Sequence, residues 1–335
     1  MKQSKTKRIS ILIGLVIILL ILSILSINLG KMSLAPSEVL QVIIGQGTPQ
    51  QNLIVYEFRL PRIILAIFVG IGMGISGTLM QSLLKNDMAS PGTLGISSGS
   101  GLFVLMYIVM FHSESSLLST YGIPVVSFVG GILAALIIFF LSYRRNKDMS
   151  PTTLILTGVA VGSGYSALTT MLSLRMDERQ MEFIQKWQAG NLWGDDWQYL
   201  KVLIPWVSIL VIYTIYKAQI INTINLGDET AKGLGVCVKR EFIILMFVAV
   251  ALSSGSVALG GNFFFVGIIA PHIARKLVGA NHFYVLPVSG LIGSLVILLA
   301  DTITRSISLG SDVPTGIVIT VLSTPYFLYL LSKAD

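Results

Sequence analysis

The sequence predicts an all-α polytopic membrane protein with about ten transmembrane helices and both termini on the cytoplasmic side. Three observations predict it. Of the 335 residues, 53% are apolar and only 12% are charged, whereas soluble domains carry roughly 25% charged residues. Ten apolar runs follow one another along the chain, each close to the ~20 residues needed to cross the hydrocarbon of a bilayer. The lysines and arginines are also divided unequally between the two sets of loops that alternate along those runs. With a mean hydropathy of +0.81, the chain cannot hide its apolar surface in a water-soluble core.

The first run, 9–29, follows the basic stretch MKQSKTKR. It is too long for the apolar region of a cleaved leader, and no small-x-small site follows, so it is read as a retained span. The second, 61–84, opens at Pro61, which suits a first helical turn because its missing N–H costs nothing there. Inside it lies GIGMGISG, 70–77. Gly72, Gly74 and Gly77 have the spacing of a dinucleotide-binding fingerprint, but that motif needs a preceding strand and an opening helix. Here the flanks are PRIILAIFV and TLMQSLL, so the glycines sit within one apolar helix. Gly70, Gly74, Ser76 and Gly77 read instead as a small face that lets neighbouring helices approach closely.

The third and fourth runs are 94–111 and 121–143. The fifth, 152–174, repeats the small-residue device with Gly158 and Gly162. The sixth to tenth are 200–220, 241–260, 263–279, 284–304 and 313–332, the eighth being short and interrupted by Pro271. No linker or hydrophilic insertion is long enough to form a separate soluble unit, so 1–335 reads as a single transmembrane domain.

With the N-terminus in the cytoplasm, alternation through ten spans puts fifteen of the 23 basic residues inside. They are Lys2, Lys5, Lys7, Arg8, Lys85, Arg144, Arg145, Lys147, Lys217, Lys232, Lys239, Arg240, Arg275, Lys276 and Lys333. This is the asymmetry expected of cytoplasmic loops. The net charge of +7 then reflects topology, and no nucleic-acid partner is implied.

Several chemistries have no footing. The chain contains no G-x-x-x-x-G-K-[ST] or H-E-x-x-H. Cys237 is the single cysteine, and His112, His272 and His282 lie far apart. No metal, haem or other cofactor is expected, and no catalytic residues. The longest polar stretches are 173–198, outside, and 221–241, inside. Trp187, Trp193 and Trp197 in the outer stretch read as an aromatic belt at the headgroups, with substrate contact as the other reading.

Three constellations remain. In FRLPRIILA, Arg59 and Arg62 flank Pro61 at an expected helix N-terminus, whose dipole disfavours cations. They either meet carboxylates from elsewhere or snorkel to the headgroups. In LLADTITRSISLG, Asp301 and Arg305 stand four apart with the acid first, the favourable order on a helix. They form a local pair, and Arg305 could extend to join Arg59 and Arg62. In LGDETAKGLGV, a short helix is expected, with Asp228 as N-cap, Glu229 in its first turn and Gly233 or Gly235 as its stop. Such a capped helix is a handle for a cytoplasmic partner.

These stretches, with NDMASPGTLGISSGSG, WQAGNLWGDDW, FFFVGIIAPHIARKLVG and DVPTGIVITVLSTPYFLYLL, resemble the FecCD-type permeases of iron-siderophore, haem and cobalamin ABC importers. The resemblance runs from residue 59 almost to the C-terminus. Where the family usually reads Asn-Pro-Leu-Ala, this chain has Asn86-Asp87-Met88-Ala89. The resemblance implies inverted repeats of spans 2–5 and 7–10. It also implies a second permease subunit (identical or paralogous), two ATPase subunits and an extracytoplasmic binding protein, all working at the lipid membrane. Arg59, Arg62 and Arg305 would then receive glutamates of the binding protein. Leu226, Gly227, Asp228, Glu229, Lys232 and Gly235 would belong to the loop that docks in the ATPase, and Ser150, Pro151 and Thr152 to the cytoplasmic gate.

The resulting expectation is a permease for an intact ferric siderophore, with haem or cobalamin as alternative cargo. An ion-coupled secondary transporter is the rival from another class, but it usually needs carboxylates near the midplane, and Asp301 is the one serious candidate. A membrane scaffold without transport leaves the glycine-rich packing and the capped inner helix without a purpose.

Overall fold

The computed structural model describes residues 4–30, 34–110, 117–143, 151–193, 196–306 and 313–332. Every regular element among them is helical. Helix α1 (Lys5–Asn28) leads through α2 (Pro36–Ile43) and α3 (Pro49–Asn52) to α4 (Leu60–Leu84). Then follow α5 (Ile96–Met110), α6 (Leu117–Ser142), α7 (Pro151–Ser173), α8 (Glu178–Gln188), α9 (Trp197–Tyr216) and α10 (Ala218–Ile224). The chain ends with α11 (Asp228–Gly233), α12 (Val238–Gly260), α13 (Val266–Val278), α14 (His282–Ser306) and α15 (Thr315–Leu331). Among the described residues, seven helices are long and apolar enough to cross a membrane. The three other expected runs are helical but shorter: α5 with 15 residues, α13 with 13 and α15 with 17.

Helix α4 is the hub, packed on α14, α12 and α13 and buried on nearly all sides. A helix that is apolar all round belongs in an interior of this kind. Its glycines serve packing, as the sequence predicts. A methyl group built on Gly70 or Gly74 would collide with the backbone of α14 at Ser294 or Ser289, and one on Gly77 with Gly267 of α13. The close approach lets small hydroxyls bond across helices: Ser76 Oγ donates to Ala249 O at 2.6 Å and Ser289 Oγ to Gly74 O at 2.7 Å. Each such bond contributes ~0.6 kcal/mol on average in a membrane. Gly158 and Gly162 of α7 do the same, but their neighbours are Leu94 and Gly95 in the turn before α5.

Two local expectations are corrected. Pro61 does lie in the first turn of α4, but that turn is no free helix end, because helical structure runs unbroken from Pro49 to Leu84. A π-helical segment, Leu53–Arg59, absorbs the proline: the Leu60 N–H reaches back five residues to Val55 O. That wider turn accommodates a ring that would clash inside a regular helix. Arg59 and Arg62 therefore lie far from any N-terminus of their own helix. Nor is Trp187 a headgroup anchor. It is 2% exposed and its ring lies over Gly101 of α5. Trp193 is half-buried, and its Nε1 donates to Ala258 O at 2.8 Å.

Candidate functional site

The expected arginines converge at one end of α4, around Asp301 of α14. Asp301 is fully buried. Its Oδ1 accepts from Arg62 Nε at 3.0 Å, and Arg62 Nη2 lies 3.0 Å from the same oxygen. Its Oδ2 accepts from Arg305 Nε at 2.9 Å. Arg305 Nη2 also donates to Ser26 Oγ at 2.6 Å, and Arg59 donates through Nη1 to Ile27 O. Ser26 and Ile27 lie in the last turn of α1. The Arg59 and Arg305 guanidinium groups thus meet the negative end of a helix dipole, which favours cations by ~0.3–1 kcal/mol. The helix dipole acts with the opposite sign to that expected from the sequence, because the nearby terminus belongs to α1 and is a C-terminus. Arg62 and Arg305 keep side-chain exposures of 19% and 18%, whereas Arg59 is buried.

At the other end of α4, Lys85 is the C-cap and adopts a left-handed conformation with φ 49°. Its Nζ lies 2.8 Å from Asp228 Oδ1 on α11. Two residues on, Asp87 pairs with Arg275 of α13 at 2.9 Å, and Arg275 also donates to Gln81 Oε1. The short helix α11 is thereby tied to α4, and the turn after α4 to α13. Nearby, Lys217 donates to both carboxylate oxygens of Glu241, at 2.8 and 3.0 Å. That hydrogen bond raises the lysine above its ordinary range, against an opposing contribution from burial.

Helix α11 forms where the sequence predicts it, with one change. Gly227 is the N-cap and Asp228 the first helical residue, so the Asp228 carboxylate is available to Lys85. Its other end closes as predicted by glycine. The Val236 N–H bonds to Ala231 O at 2.9 Å and the Gly235 N–H to Lys232 O at 2.9 Å, with Gly235 at φ +83°. This paired pattern is the Schellman closure, which places glycine one residue beyond the C-cap. Glu229 and Lys232 pair along the helix at 2.9 Å. Leu226 and Leu234 flank it as exposed apolar side chains. Pro151 begins α7 and Thr152 is exposed beside it, while Ser150 lies outside the described residues.

The remaining polar centre is structural. His282 is buried at the start of α14. Its Nδ1 and its backbone N–H both face Asn222 Oδ1, at 2.8 and 2.9 Å. The ring therefore carries its proton on Nδ1, and Nε2 accepts from Ser82 Oγ at 2.6 Å. Among the described residues, no group of three His, Cys, Asp or Glu side chains could hold a metal.

The structure thus brings Arg62 and Arg305 onto one carboxylate, with Arg59 on the same turn of α1. Sequence reasoning found Asp301–Arg305 from its spacing but missed Asp301–Arg62, whose partners are 239 positions apart. It also missed the Lys85–Asp228 and Asp87–Arg275 pairs. The unusual Asp87 was a signal for the second.

A family model described as the FecCD transport family matches residues 18–333. The chain is 41% identical, over the whole of both proteins, to the iron(3+)-hydroxamate import system permease protein FhuG of Bacillus subtilis. It is 35% identical to the iron-uptake system permease protein FeuC of the same organism, covering 94% of this chain and 95% of that one. It is 34% identical to the hemin transport system permease protein HmuU of Yersinia pestis, covering 95% and 94%. The fold is similar to a solved metal-chelate type ABC transporter in an inward-facing conformation. That match has a TM-score of 0.82 and 28% identity, covering 97% of this chain and 99% of that one.

Proposed function

The chain belongs to the FecCD transport family, and from that premise we propose that it is the permease subunit of an ABC importer carrying an intact ferric siderophore across the cytoplasmic membrane. A hydroxamate chelate is the favoured cargo, because identity to the hydroxamate permease is 41% against 34% for the hemin permease. In this reading the chain performs no catalysis. ATP is hydrolysed by two separate ATPase subunits, a second permease completes the pathway, and an extracytoplasmic protein delivers the chelate. The chain crosses the membrane about ten times with both termini inside, α5, α13 and α15 counting as short spans.

One observation carries the reading: α4 bears a polar handle at each end. Arg62 and Lys85 are separated by 23 residues, or about 34 Å at 1.5 Å per residue, enough to cross ~30 Å of hydrocarbon. At the outer end, Arg62 and Arg305 are partly exposed and pre-oriented by Asp301, a geometry suited to carboxylates of the binding protein. Arg59, being buried, supports them from behind. At the inner end, α11 is held on α4 through Asp228 and Lys85. With Glu229, Lys232, the Gly227 and Gly235 turns, and the exposed Leu226 and Leu234, it offers the ATPase a rigid projection. Ser150, Pro151 and Thr152 belong to the cytoplasmic gate in this reading.

Reconstitution with the binding protein, the ATPase and the second permease in liposomes tests the proposal. Uptake of a ferric hydroxamate should require ATP and the binding protein. Uptake that persists without the ATPase and collapses with the proton gradient would instead identify a secondary transporter.

A further inference from the structure

A cavity of about 160 Å³ lies between α6 and α12, backed by Leu84 at the end of α4 and Leu154 in the first turn of α7. Every side chain that lines it is apolar. Its mouth faces outward from the bundle: Leu136 of α6 is 55% exposed, and Ile243 and Phe247 of α12 are 40% and 54% exposed. An apolar cavity of roughly 150 Å³ stays dry and takes up hydrocarbon, so in a bilayer this one accepts part of an acyl chain.

One end of the cavity is cationic. Lys239, Ile243 and Phe247 stand four apart on one face of α12. Ile243 lines both the cavity and a second, open depression that holds Lys239 and Arg240. On the α6 side, the Phe139 ring that lines the cavity stacks with Tyr143, their centroids 6.5 Å apart. Lys239 Nζ in turn lies 5.7 Å from the centre of the Tyr143 ring. A continuous path thus leads from hydrocarbon, past an amphipathic ring, to a cation. The neighbouring bases at this end of the molecule are already neutralised: Lys85, Lys217, Lys232 and Arg275 each pair with a carboxylate. Glu241, the acid next to Arg240, is the one that Lys217 holds. Among the described residues, no carboxylate pairs with Lys239 or Arg240, and both are exposed. The rule that cations gather inside explains their side of the membrane, but not their place at the mouth of an apolar cavity.

We propose that this is a retained site for one anionic phospholipid of the cytoplasmic leaflet, with an acyl chain in the cavity and the phosphate between Lys239 and Arg240. A zwitterionic lipid brings its own cation toward the same two side chains and gains less. The inference rests on the orientation proposed above, in which α6 ends and α12 begins inside, and it is independent of the cargo.

The test uses the full-length permease, co-purified with the ATPase in mild detergent and equal amounts of phosphatidylglycerol and phosphatidylcholine with identical chains. Native mass spectrometry counts each lipid on the permease's own mass, whether or not the ATPase remains bound. The wild type should retain phosphatidylglycerol in preference. Lys239→Gln and Arg240→Gln should each lower that preference roughly fivefold, and together about twentyfold. Ile243→Trp, which fills the mouth, should lower retention of phosphatidylglycerol by at least about fourfold, the equivalent of one buried methylene. Equal retention of the two lipids by the wild type, or an unchanged preference in the double variant, would overturn the site. Loss of the ATPase from the double variant with the lipid preference intact would assign the two cations to the ATPase interface instead. Cys237, the exposed residue before α12, reports the orientation separately. A membrane-impermeant maleimide should label it in inside-out vesicles and not in intact cells; labelling from outside would overturn the assignment to the cytoplasmic leaflet.

Discussion

Replacing Asp301 with asparagine tests whether one carboxylate organises the arginine cluster. The change keeps the volume and one acceptor oxygen but removes the charge. It also turns an N–H₂ group toward one of the two guanidinium groups. Three contacts are at stake, Arg62 Nε and Nη2 at 3.0 Å and Arg305 Nε at 2.9 Å. A hydrogen bond to a charged group contributes ~1.5–3 kcal/mol, so losing the charge from two arginine contacts would remove about 3–6 kcal/mol if both were fully buried. They are not: at 19% and 18% exposure the arginines regain some hydration, and about 2–4 kcal/mol is the expected loss. Unfolding of the detergent-purified permease, followed by helicity, would measure it. A double-mutant cycle with Asp301→Ala and Arg62→Ala should give a coupling of ~1.5–3 kcal/mol, because residues in one ionic network are not additive. A coupling below about 0.5 kcal/mol, the level of ordinary additivity error, together with wild-type stability of Asp301→Asn, would refute the organising role. Transport by Asp301→Asn should remain ATP-driven.

Docking of the binding protein can be tested separately. Arg62→Ala should weaken it roughly ten- to a hundredfold, the equivalent of one charge-assisted hydrogen bond. Arg62→Glu should be worse, and a reciprocal Glu→Arg change in the binding protein should restore part of the affinity. Because a glutamate at 62 would also face Asp301, the alanine variant is the cleaner measurement. At the inner end, Gly235→Val should cost about 1–2 kcal/mol from left-handed backbone strain. No atom lies within 4 Å of the added Cβ, so sterics are not the cause. ATPase co-purification should fall while membrane insertion is unaffected, and Gly235→Asn should be milder. In the hub, Gly70→Ala drives a methyl into the Ser294 backbone and should lower stability by ~1–3 kcal/mol. Gly14→Ala, which meets nothing within 4 Å, should be neutral or slightly stabilising and serves as its control.

The sequence by itself determined much of what depends on neighbours along the chain. The apolar runs each became helices because a bilayer demands internal hydrogen bonding, and their positions along the chain are visible in the sequence. The glycine faces, the Asp301–Arg305 spacing and the Schellman glycine at 235 are equally local, recurring at helical intervals or at a helix end. Tertiary structure decided what lies opposite each group. It brought Arg62 to Asp301 across 239 positions, and Lys85 to Asp228 across 143. It buried Trp187 over Gly101, where indole amphipathicity alone had favoured the headgroups. It reversed the electrostatic sign around Arg59, since the dipole that acts on that side chain belongs to α1, folded against it through Ile27. Even Pro61, a helix opener by local rules, lies within a longer helix because the π segment makes room for it. A helix's own pattern reports which faces are apolar or small. Which partner covers each face is set by packing all the helices at once, and no stretch of sequence contains that packing by itself.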